Sequence, residues 1–157
     1  MDSCPTHRIC CASPLETQDL GKRIGEKLKI GSVVALYGGL GAGKTCLTKG
    51  IALALGVTEP VTSPTYTIIC QYGARIGDTE FPLYHMDAYR LSGDEDFENT
   101  GATELLGKNG IAVIEWSERI PLSIPENAVR VEIEITEAEN RIFSISGVET
   151  LQDGFGT

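Results

Sequence analysis

The sequence predicts an α/β fold, a single domain built on a mixed sheet with flanking helices and antiparallel hairpins. Three observations predict it. An apolar run at 33–37 passes through a glycine-rich turn into a segment with Leu47, Ile51 and Leu55 four apart, the order strand, loop, helix. A second short apolar run, 111–114, sits between polar stretches and reads as another buried strand. Two further pairs of extended segments, 66–72 with 80–86 and 129–135 with 142–146, read as hairpins.

Taken in order, residues 1–14 show no periodicity and are expected to be loosely ordered, as are 148–157, so that the domain spans 15–147. Leu20, Ile24 and Leu28 predict a helix over 17–29, with Thr17 as its cap, Asp19 in its first turn and Gly31 beyond its end. The strand at 33–37 follows, then the loop GGLGAGKT from Gly38 to Thr45, then a helix that Gly56 is placed to end. Pro60, Pro64 and several hydroxyl residues mark an extended stretch through Thr65. The strand 66–72, a turn GARIGDT at 73–79 and the strand 80–86 lead to Asp87. Residues 91–110 are acidic and polar, with a short helix expected around 102–106. The run 111–114 delivers Glu115 and Trp116 at its C-terminal end, where ligands lie in open α/β sheets.

The loop carries the chemistry. It matches G-x-x-x-x-G-K-[ST] in the strand–loop–helix setting the motif requires. At average residue usage that match arises by chance in roughly one chain of this length in two hundred. Glycines without Cβ atoms let successive N–H groups turn inward around a di- or triphosphate, and the next helix aims its positive dipole end at the same anion. The expected cradle is Gly38, Gly39, Leu40, Gly41, Ala42, Gly43, Lys44, Thr45 and Cys46, with Lys44 reaching the outer phosphates and the Thr45 hydroxyl on Mg²⁺.

Phosphoryl chemistry also needs an acidic residue for the metal and a group that orients the nucleophile. Asp87 and Glu115, each ending an apolar strand, are the candidates, and the sequence leaves open which does which. Thr65, in Ser63-Pro64-Thr65, stands where a γ-phosphate-sensing loop would follow the first helix, and equally where an ordinary proline turn would. His85 shares a strand face with Asp87 and reads as a packed histidine; Trp116, taken alone, reads as core.

Composition bounds the rest. The 157 residues (16.9 kDa) are 41% hydrophobic and 22% charged, ordinary for a soluble globular domain. No stretch has the apolar length of a membrane span, and no basic-then-apolar leader is visible, so a cytoplasmic protein is expected. With a net charge of −9 and 13 scattered basic residues, the domain alone is not expected to grip a nucleic-acid backbone. Five irregularly spaced cysteines fit reduced thiols better than a zinc site at Cys4, His7, Cys10 and Cys11. Cys46, near a helix N-terminus, is expected to have a lowered thiol pKa.

GGLGAGKT, SPTYT (63–67), YHMDAYRL (84–91) and IEW (114–116) occur in that order, and together they resemble the TsaE family of small P-loop ATPases over about residues 15–147. The resemblance implies a single P-loop NTPase domain that binds ATP and Mg²⁺. It further implies action with partner proteins TsaD and TsaB, which place threonylcarbamoyl on the tRNA adenosine beside the anticodon, so that tRNA is met only through the complex. Lys44, Thr65 and Glu115 are then the catalytic candidates; Thr45, Asp87 and Glu115 the metal ligands; Trp116 joins the nucleotide site through the family's E-W pair. Asp87 falls in the family's HxDxYR segment. Gly39 departs from the family's usual Asp, and Ala88 from its common Leu. Arg90 and Arg119 are the nearest candidates for an arginine finger, neither obvious, so slow hydrolysis by the isolated chain is expected. A small-molecule kinase and a non-catalytic ATP-sensing adaptor are the alternatives; no arginine cluster suggests a kinase lid, and the N-K-x-D tetrad of GTPases is absent.

Overall fold

The computed structural model describes residues 6–39, 43–62, 64, 68–148 and 151. The chain runs β1 (His7–Cys11), α1 (Pro14–Gly25), β2 (Val33–Tyr37), α2 (Lys44–Ala54), β3 (Ile69–Ile76), β4 (Thr79–Asp87), α3 (Asp94–Asn99), β5 (Ile111–Glu115), β6 (Val129–Ile135) and β7 (Arg141–Ser146), with 3₁₀ turns at Ala102–Leu105 and Ser117–Arg119. One mixed sheet takes the order β1-β7-β6-β2-β5-β4-β3. Its middle four strands, β6, β2, β5 and β4, are parallel; beyond β4 lies antiparallel β3, and beyond β6 lie β7 and then β1, each antiparallel to its neighbour.

The parallel strands are apolar because both of their faces are covered. Val34 and Leu36 pack with Leu20, Ile24, Leu47 and Ile51 of α1 and α2; Ala35 and Ile114 pack on the other face with Phe97 of α3 and with Ile120. The two helices cross at glycines. A Cβ on Gly50 would stand 2.0 Å from the Gln18 carbonyl oxygen, and one on Gly21 would stand 2.2 Å from that of Leu47. That crossing fixes α2, and with it the residues at its N-terminus.

Several expectations need correction. Helix α1 starts three residues earlier than read and ends four residues earlier. Ser13 is the N-cap: its hydroxyl accepts the Glu16 amide at 3.2 Å, Pro14 takes the first helical position, and Glu16 reaches back to the Ala12 amide at 2.8 Å. Leu28 is buried but lies beyond the helix, so its spacing misled. Residues 7–11, expected to be loose, form β1 along β7, with Cys11 fully buried and Ile9 against the core. Residues 148 and 151 are likewise buried, while 149–150 and 152–157 lie outside the described residues. The turn read at 73–79 shrinks to Gly77-Asp78, because Gly73 to Ile76 stay paired with β4 and only Gly77 takes a positive φ of 60°. The short helix near 102–106 is present as a 3₁₀ turn, and α3 before it was not foreseen: Phe97 is its one buried side chain, too few to show a period.

Candidate nucleotide site

Strand β2 ends at Tyr37, and α2 begins six residues later from Gly43, whose backbone sits in the left-handed region (φ 100°, ψ 17°) that glycine enters without cost. Leu40, Gly41 and Ala42, the middle of the expected cradle, lie outside the described residues, as do Thr65 and the rest of SPTYT except Pro64. Gly38 and Gly39 at one end and Gly43 to Cys46 at the other bracket the loop. A Cβ at Gly39 would meet nothing within 4 Å among the described residues.

Register brings the carboxylates together. Asp87 and Glu115 are direct neighbours on the parallel pair β4–β5, so both side chains point to the α2 face of the sheet at its C-terminal edge. Both residues are buried, at 6% and 4% exposure. Glu115 Oε2 accepts the Thr45 hydroxyl at 3.1 Å and meets His85 Nε2 at 2.5 Å. Asp87 Oδ1 accepts the Tyr89 amide at 2.9 Å. Burial pushes the Asp87 carboxyl above its usual range, the Glu115 charge adds to this, and the Tyr89 amide, His85 and Lys44 oppose it.

Lys44 is buried and folded back: its ammonium donates to the Gly38 carbonyl and lies 3.6 Å from the centroid of the Trp116 ring. Burial pulls its pKa down, against the pull of the Glu118, Glu115 and Asp87 carboxylates. Trp116, itself in the left-handed region (φ 60°), packs against Tyr89 with ring centroids 4.8 Å apart and planes tilted by 47°, and Arg119 lies over the same pair at 5.2 Å and 6.0 Å. Trp116 thus lies against Lys44, Tyr89 and Arg119 rather than only filling core. Cys46 departs from expectation. Its thiol donates to the Pro14 carbonyl at 3.1 Å, and burial raises its pKa against the opposing pull of Lys49 and Arg141.

Sequence reasoning missed two residues. Glu118 accepts the Gly38 amide at 3.2 Å, a contact across 80 residues with no sequence signal. His85 was placed on the correct face but not against Glu115, because that requires knowing that β4 and β5 are neighbours.

A parallel core with a glycine loop joining a central strand to the N-terminus of a helix, and acidic residues on the adjoining strand ends, is the P-loop NTPase fold. Residues 11–143 match the family model described as threonylcarbamoyl adenosine biosynthesis protein TsaE. The tRNA threonylcarbamoyladenosine biosynthesis protein TsaE of Treponema pallidum is 42% identical over 139 residues, 88% of this chain and 99% of that protein. The one from Bacillus subtilis is 37% identical over 136 residues, 87% and 82% of the two chains. The crystal structure of Bacillus subtilis YdiB superposes with a TM-score of 0.75 at 30% identity, covering 94% of this chain and 89% of that one. The chain belongs to the TsaE family.

Proposed function

We propose that this chain is the ATP-binding and ATP-hydrolysing subunit of the machinery that attaches threonylcarbamoyl to the tRNA adenosine next to the anticodon, working with TsaD and TsaB. Family membership supports the pathway. The observation that carries the enzymatic part is the cross-strand pairing of Asp87 with Glu115, with the Thr45 hydroxyl on Glu115 and Lys44 close by.

In this reading the backbone from Gly38 to Cys46 holds the phosphates, and Lys44 exchanges the Gly38 carbonyl for phosphate oxygens. Trp116 offers a ring face beside the nucleotide. Thr45 and Asp87 are oxygen donors, a hard set that suits Mg²⁺, with the Glu115 carboxylate beside them, and two protein donors are enough when phosphates and water complete the shell. The ion, when bound, neutralises phosphate charge. Glu115 orients a water whose oxygen bonds to the γ-phosphorus as the bond to the bridging oxygen breaks; ADP leaves with that electron pair, and the carboxylate takes the water's proton. Thr65 contacts the γ-phosphate. The acidic surface leaves tRNA contact to the partners, and a cytoplasmic setting follows from that role.

Two results test the proposal. Lys44→Ala should weaken ATP binding by about 1.5–3 kcal/mol, the worth of a hydrogen bond to a charged group; unchanged affinity by titration calorimetry would remove the phosphate role of Lys44. ATP turnover by the purified chain should rise about tenfold or more when TsaD and TsaB are added, since completing a charge-stabilising set is worth up to about 10³–10⁵. Equal turnover with and without partners would sink the partner-dependent reading.

A further inference from the structure

We propose that His85 is a positioning residue for Glu115: its ring N–H fixes the carboxylate so that one oxygen is anchored and the other is left for water. This rests on the reading of Glu115 as the group that orients water. The geometry is asymmetric. Both hydrogen bonds to Glu115 from described residues, from His85 at 2.5 Å and from Thr45 at 3.1 Å, fall on Oε2. Oε1 is therefore the oxygen that neither of them uses.

A histidine kept only for packing would be expected to satisfy both ring nitrogens. His85 is fully buried, and its Nδ1 is buried with no hydrogen-bond partner among the described residues. The ring leaves one nitrogen bare while presenting the other to Glu115. With the Glu115 carboxylate as acceptor, Nε2 is the ring nitrogen that carries the donated hydrogen. The effect extends one residue further. Thr45 spends its hydroxyl hydrogen on the same anchored oxygen, which leaves the lone pairs of the Thr45 oxygen for a cation. One buried imidazole thereby orders both the water-orienting carboxylate and the hydroxyl at the start of α2. It does so without touching nucleotide, and its effect should fall on turnover rather than binding.

The test compares His85→Leu, which removes the donor at similar volume, with His85→Gln, whose amide can replace the Nε2–H. In the assembled complex His85→Leu should lower kcat by about 10–100-fold, the usual cost of misplacing a catalytic group by an ångström. KM and the ATP Kd of the chain should stay within about threefold of wild type, and His85→Gln should recover most of the loss. A His85→Leu kcat within about twofold of wild type, or equal losses in both variants, would overturn the inference. Nuclear magnetic resonance of ¹⁵N-histidine-labelled wild-type chain gives a readout independent of activity and of how the His85 variants fold. The buried Nε2–H should appear as a slowly exchanging downfield proton that moves upfield in Glu115→Gln; its absence, or indifference to that substitution, would overturn the inference. Hydrolysis surviving Glu115→Gln would overturn both readings, whereas hydrolysis lost there but kept in His85→Leu would overturn this one alone.

Discussion

Glu115→Gln should slow ATP hydrolysis by about 10²–10⁴-fold, the range expected when a positioned general base is removed, while ATP affinity changes little. Glutamine keeps the volume and an oxygen for the Thr45 hydroxyl and His85, so the buried end of β5 stays filled. What it cannot do is take a proton from water. Single-turnover hydrolysis and equilibrium binding, measured on the same preparation with TsaD and TsaB present, separate the two effects. A variant that hydrolyses at the wild-type rate would remove Glu115 from the chemistry. A variant that cannot hydrolyse but still supports tRNA modification would make the chain an ATP-sensing adaptor, in which occupancy rather than turnover matters.

Gly50→Val should destabilise the fold by about 3 kcal/mol and lower Tm by about 6–12 °C, from the cost of overpacking and the melting behaviour of a chain this size. The reason is backbone against backbone. The first carbon of any side chain at position 50 would lie 2.0 Å from the Gln18 carbonyl oxygen and 2.9 Å from the Gly21 Cα, and neither can rotate away. The helices would have to part, carrying Lys44 and Thr45 with them, so nucleotide affinity should fall together with stability. Gly73→Ala is the control: a Cβ there meets nothing within 4 Å, and its Tm should hold. Equal melting of the two variants would mean that the helix crossing is looser than its geometry indicates.

The parts of this fold that could be read from sequence are those in which one short segment carries its own reason. The β2–loop–α2 unit is fixed by a contiguous motif with an apolar strand before it and a four-residue period after it. Strand β5 is four apolar residues ending in an acid. The N-cap of α1 was equally legible, since Ser13-Pro14-Leu15-Glu16 is a capping-box pattern, but the period from Leu20 to Leu28 drew the helix too far along. Strand β3 was cut short because Gly73 reads as a turn, although on a half-exposed edge strand a missing side chain is tolerated. Strand β1 carries two inward residues, Ile9 and Cys11, too few to register as alternation. In the site, Lys44, Thr45, Asp87 and Glu115 were found as residue types at strand and loop ends. The links between them, His85 to Glu115 and Glu118 to Gly38, join segments 30 and 80 residues apart and depend on strand order.

The strand His7–Cys11 is the outermost on its side of the sheet, and its neighbour β7 holds Phe143 and Ile145, both fully buried. A shortened version beginning at residue 15 would retain the residues of the proposed nucleotide site yet lose this outer rail, together with the Ser13 cap and Pro14 of α1. The amides and carbonyls of β7 would then face solvent beside apolar side chains, a ready template for another copy. Such a truncation should therefore suffer in handling, through self-association and poor solubility, long before any loss could be traced to its chemistry.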